Sequence, residues 1–147
     1  MGCDIHAFIE FQPYAPQGEL LWQTFACLQY EPRDYLLFSA LTAGEVRGYA
    51  GHPVDGPPVR GIPPQIGWET ADGFYIDGDP AKGQDPDNHT PSWVDQAELG
   101  RVLLWVAGRR SGERPPLYEP YWDAVSAAMR ALDEAGTPGR LVFWFDN

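Results

Sequence analysis

"DIHAFIEF", residues 4–11, alternates side chains so that Ile5, Ala7, Ile9 and Phe11 share one face and Asp4, His6, Phe8 and Glu10 the other. A period of two is the signature of an extended strand, so the chain is expected to open on a strand with one dry face. The far end matches it: "RLVFWFDN", 140–147, is an apolar and aromatic run that reads as a strand running to the last residue. Next to the first strand, "QPYAPQG" (12–18) supplies turn chemistry and "ELLWQTFACL" (19–28) reads as a second strand folded back as a hairpin.

Helical signals lie between these strands. In "EPRDYLLFSALTAG" (31–44), Asp34 can cap a short helix ending near Gly44, with Leu37, Phe38 and Leu41 toward the core. Asp95 with Glu98 three residues later is a capping box that opens a longer helix, whose apolar stripe is Leu99, Val102, Leu103 and Val106. "RRSGERPPLYE" (109–119) is a loop, and Pro120 starts a second long helix with Trp122, Val125, Met129 and Leu132 at helical spacing, ended by Gly136. Residues 48–91 are dominated by Gly, Pro and Asp. The apolar groups embedded there, among them Tyr49, Trp68, Phe74 and Tyr75, predict an ordered irregular lobe with a short hairpin at "GFYIDG". The expected architecture is α+β: an antiparallel sheet including the N- and C-terminal strands, two longer helices and a short one, and this large Gly/Pro/Asp-rich insertion, in a single domain over 1–147.

The charge balance restricts the partners. With 21 acidic and 10 basic residues the 147-residue chain carries a net charge of -11, which opposes binding to a nucleic-acid backbone or an anionic membrane surface. Nine of the ten basic residues are Arg and one is Lys82, so any anionic ligand needs a local arginine cluster. The start has no basic n-region or long apolar segment, and no apolar run approaches the roughly 20 residues of a membrane span. Cys3 and Cys27 have no zinc-type spacing and are expected to be free thiols.

Several residues can carry chemistry. Asp4 and His6, two apart on a strand, project from the same face, a pattern that suits metal ligation, a carboxylate-oriented general base, or a surface pair. If His89 from "DPDNHTPSW" (85–93) converges on them, Asp4, His6 and His89 become a two-histidine, one-carboxylate set for a divalent metal, or the catalytic groups of a hydrolase. An EF-hand counted from Asp85 fails, because Thr90 stands at its sixth position and Gln96 at its twelfth. Arg33, Arg47 and Arg60, each in or beside a loop, offer guanidinium forks for phosphate or carboxylate, and Tyr35, Tyr49 and Trp68 offer rings for stacking.

Across nearly the whole chain, "MGCDIH", "RDYLLFSAL" followed by "VRG", "RGIP", "HTPSW" and the terminal "RLVFWFDN" resemble small bacteriophage and prophage proteins that begin MGCDIH and end in a VFWFDN-like strand. That group carries no established activity. The resemblance implies recurring polar positions at Asp4, His6, Arg33, Tyr35, Arg47, Arg60, His89, Ser92, Trp93, Asp146 and Asn147. Members often read H-S-H-S-W, where this chain has Pro91 in place of the second histidine; the departure weakens the metal reading and leaves a ligand pocket intact.

The leading expectation is a phage-type accessory protein of the host bacterial cytoplasm that binds a small anionic, nucleotide-derived ligand, sequestering a host immune signal by analogy. Arg33, Arg47 and Arg60 would grip phosphates, Tyr35 or Trp93 would stack, and Asp4 with His6 would read hydroxyls or a base edge, with Ser92 beside them. The alternatives are a phosphodiesterase-like or metal-dependent hydrolase using His6, His89 and Asp4, and an acidic inhibitor that binds a basic protein. An exposed sheet edge would allow a homo-oligomer.

Overall fold

The computed structural model describes residues 2–13, 21–110 and 119–147. The "QPYAPQG" turn and the "RRSGERPPLYE" loop lie mostly outside them. Among the described residues four strands, β1 (Asp4–Phe11), β2 (Gln23–Leu28), β3 (Asn88–Asp95) and β4 (Gly139–Asp146), form one antiparallel sheet in the order β2-β1-β4-β3. The terminal strands lie side by side at its centre, from Asp4 opposite Asp146 to Phe11 opposite Gly139.

Three helices cover one face of this sheet. Ile5, Ala7 and Ile9 of β1 and Leu141, Phe143 and Phe145 of β4 share a core with Leu37, Phe38 and Leu41 of α1 (Tyr35–Leu41), Val102 and Val106 of α3 (Gln96–Arg109), and Met129 of α4 (Glu119–Glu134). The fold is α+β, as the alternation and the two long amphipathic stripes predict. Asp34 caps α1 by accepting from the Leu37 N–H at 3.2 Å. The capping box of Asp95 and Glu98 is present at the start of α3.

Three expectations need correction. First, β1 does not leave its second face polar, because Phe8 packs with Phe74 and Trp144 in a second core and Glu10 is fully buried. Second, the segment 48–91 is not irregular throughout: it contains a fourth helix, α2 (Trp68–Phe74), and its last residues belong to β3. Poor helix formers such as Thr70, Asp72 and Gly73 adopt α2 because the sheet holds them. Glu10 Oε2 accepts from the Gly67 N–H at 2.6 Å and the Thr70 hydroxyl at 2.7 Å, and Phe74 fills the second core. Tertiary anchoring here outweighs local propensity. Third, the hairpin at "GFYIDG" is replaced by the end of α2, a 3₁₀ turn at Ile76–Gly78 and an isolated bridge between Tyr75 and Gln84.

Strand β3 was hidden in the sequence by Pro91, which cannot donate to a ladder and is confined to edges and bulges. β3 is an edge strand and carries such a bulge. His89 pairs with Phe145 and Ser92 with Phe143, so one extra residue is accommodated between them. Thr90 absorbs it with φ +49°, where a β-branched residue is rarely found. Among the described residues no helix is long and apolar enough to cross a membrane.

Candidate functional site

The starts of β1 and β3 and the end of β4 meet at one end of the sheet, where Asp4 and Asn88 both pair with Asp146. Directly opposed residues in an antiparallel sheet point to the same face, so the register sorts the candidates. Asp4, His6 and Asp146 stand on the α2 face, and His89 stands with Phe145 on the face of α1, α3 and α4. The stacking agrees: the His6 ring lies on Trp144 with centroids 5.8 Å apart, and the His89 ring on Phe145 at 6.0 Å. Asp4, His6 and His89 therefore do not form one metal-ligand set, and His6 and His89 do not flank one scissile bond. No group of three His, Cys, Asp or Glu able to hold a metal ion occurs among the described residues.

On the α2 face, His6 finds its carboxylate across the sheet. Its Nε2 lies 2.8 Å from Asp146 Oδ2. Asp4, the partner suggested by spacing, is taken by Arg33, whose Nε and Nη2 donate to its two oxygens at 2.8 and 3.2 Å. These hydrogen bonds hold the Asp4 carboxyl below the usual carboxylate range. Gly2 lies beneath the same guanidinium, and a Cβ there would fall 1.8 Å from Nη1. A shallow cavity of about 380 Å³ opens beside Asp4, His6, Cys27 and Arg33.

The helical face carries the larger hollow, about 500 Å³, bordered by Cys3, Arg47, His89 and Asn147, with Glu45 and Asp87 also on its wall. Arg47 follows the turns after α1 in the left-handed conformation, φ +54° and ψ +50°. Its guanidinium carbon sits 4.7 Å from the centre of the Tyr35 ring, a cation–π contact that fixes its head. His89 is held by both ring nitrogens, with Nδ1 3.0 Å from Thr90 Oγ1 and Nε2 3.9 Å from Cys3 Sγ. Burial pushes the Cys3 thiol above its ordinary value, with Arg47 acting in the opposite direction.

The remaining candidates lie elsewhere. Arg60 donates from Nη1 to the Trp93 carbonyl and to Glu98 Oε2, each at 2.8 Å, pairs through Nη2 with Glu98 Oε1, and covers the Trp93 ring at 4.4 Å. The buried Ser92 hydroxyl accepts from the Arg60 N–H at 3.0 Å. This clamp ties the 48–91 segment to β3 and α3, and the hydrogen bonds from Arg60 keep the Glu98 carboxyl below its ordinary range. Arg60, Ser92 and Trp93 thus do not join Arg47 at the hollow. The three arginines do not form one basic cluster either: Arg33 serves Asp4, Arg60 serves Glu98, and Arg47 borders the hollow.

Sequence reading missed two contributors. Thr90 carried no signal beyond preceding Pro91, and Cys3 none in its spacing; both take their place from the bulge of β3 and the packing of the first residues against the core. Comparison of the chain with protein-family models, with curated proteins and with solved structures finds no match.

Proposed function

We propose that the protein binds a small anionic, nucleotide-sized ligand in the hollow bordered by Arg47, His89 and Asn147. The carrying observation is a guanidinium fixed on the wall of a cavity of about 500 Å³ in a chain of net charge -11. That volume falls within the range of about 300–1,000 Å³ common to small-molecule sites. Arg47 supplies a fork matched to phosphate, and the His89 ring stands on the same wall. Glu45 and Asp87 are acceptors, which suit the hydroxyls of a sugar and the amino group of a base better than a bare phosphate. The ligand class is therefore a nucleoside phosphate. Binding without turnover is the role that fits a phage-type accessory protein acting on a host nucleotide signal.

The test is calorimetric titration of the purified protein with ADP, cyclic AMP, a cyclic dinucleotide, adenosine and inorganic phosphate, followed by denaturation and chromatography of the ligand. Saturable heat with a phosphate-bearing nucleoside, weaker or absent heat with adenosine, and intact ligand afterwards are expected. Cleavage products would replace this reading with a hydrolase. A folded protein that binds none of these compounds would refute it.

A further inference from the structure

A thiol and an imidazole border the hollow, and the imidazole in turn meets a hydroxyl. Cys3 Sγ lies 3.9 Å from His89 Nε2, and His89 Nδ1 lies 3.0 Å from Thr90 Oγ1. We propose that Cys3 is a nucleophile for acyl groups, with His89 as its general base and Thr90 as the positioning residue that sets the ring. This rests on the binding reading only in assigning Arg47 to the anionic part of the substrate.

Three observations carry it. A nucleophile within reach of a base that is oriented by a third group is the recurring plan of covalent catalysis, and such contacts are commonly loose before substrate binds. The Thr90 hydroxyl can accept from the ring, and in the tautomer with the proton on Nδ1, Nε2 is left to accept the thiol proton. The backbone is also strained at Arg47 (φ +54°), on the wall of the hollow, and at Thr90 (φ +49°), next to His89, and such positions persist where the surroundings over-determine them. The bulge at Thr90 turns the chain so that both His89 contacts form.

Cys3 lies immediately before β1. The electrophile we assign is the carbonyl carbon of an ester, the ordinary partner of a cysteine paired with a histidine base. Burial keeps the thiol protonated at rest, so the proton must leave during attack. The groups that bear on this thiol are Arg47, Arg33, Asp4 and Asp146, together with His89.

In the first step the S–H proton passes to His89 Nε2, the sulfur bonds to the carbonyl carbon, and the ester C–O bond breaks as the alcohol leaves with that proton. Water then attacks the thioester and gives its proton to His89. The acid is released and the thiol restored, so the net reaction is ester plus water to acid plus alcohol.

The experiment uses the full chain with p-nitrophenyl acetate and the anionic mono-p-nitrophenyl succinate. Release of p-nitrophenolate is followed, and the acyl group is located by mass spectrometry of peptides, with the exposed Cys27 as internal control. Acylation of Cys3 is expected, slowed by about 10²-fold in His89→Ala. It should also be slowed in Thr90→Gly, which relieves the strained φ and deletes the hydroxyl, and be restored in Thr90→Ser. The succinate should react faster than the acetate, and Arg47→Ala should remove that preference. Label on Cys27 alone, or equal Cys3 labelling in wild type and His89→Ala, would overturn the proposal. Nucleotide binding without Cys3 acylation removes this inference and leaves the binding reading standing; His89-dependent acylation without nucleotide binding does the reverse.

Discussion

Glu10→Ala is expected to destabilise the fold by about 3–5 kcal/mol, because removing one member of a buried ion pair strands the other. Glu10 is fully buried and Arg140 nearly so. Glu10 Oε1 accepts from Arg140 Nε at 3.1 Å and Nη2 at 2.8 Å, and Oε2 holds the Gly67 N–H and the Thr70 hydroxyl. Arg140 also donates to the Gln65 carbonyl and lies against the Trp22 ring, 3.7 Å from its centre. Alanine would leave a guanidinium, an amide and a hydroxyl without their common acceptor. It would also free the start of α2, and with it the cover over Phe8 and Trp144. Replacing Glu10 and Arg140 together by methionine should cost less than Glu10→Ala alone, since no charge remains buried. Urea unfolding monitored by far-UV circular dichroism measures both variants. A loss below about 1 kcal/mol for Glu10→Ala would mean that water or a rearranged side chain replaces the carboxylate.

Arg47→Gly is expected to weaken nucleotide binding by about 10- to 100-fold, the equivalent of one charge-assisted hydrogen-bonding group. Glycine is chosen because Arg47 occupies φ +54°, ψ +50°. There the strain relieved by glycine and the entropy it adds to the unfolded chain are each about 1 kcal/mol and opposed. Stability should therefore stay close to wild type while affinity falls. Arg60→Ala should do the opposite, since Arg60 is spent on Glu98 and the Trp93 carbonyl: the fold weakens, and binding of ADP by the remaining folded protein holds. Equal losses of affinity from both variants, read by calorimetry, would return the three arginines to one functional cluster.

Local rules account for the parts of this structure that were legible in the sequence. The alternation of residues 4–11, the aspartate caps at Asp34 and Asp95 and the stripes of the two long helices depend on neighbours a few residues away, and they appear where expected. What escaped depends on partners far along the chain. Glu10 reads as a solvent-facing residue until Arg140, 130 positions later, is placed beside it. His6 suggests Asp4 as its carboxylate, yet the sheet supplies Asp146 instead. Strand β3 contains a proline and a bulge and breaks the period of two, and that same bulge sends His89 to the face away from His6. Which face each aspartate and histidine of the sheet occupies is a property of the register.

On the proposed reading the helical-face hollow, and not the His6 side of the sheet, receives the ligand. The most direct test of that reading is NMR observation of the ring signals of the three histidines, His6, His52 and His89, during titration with ADP. Saturable movement of the His89 signals is expected, with those of His6 unchanged. Movement of His6 while His89 stays in place would contradict it.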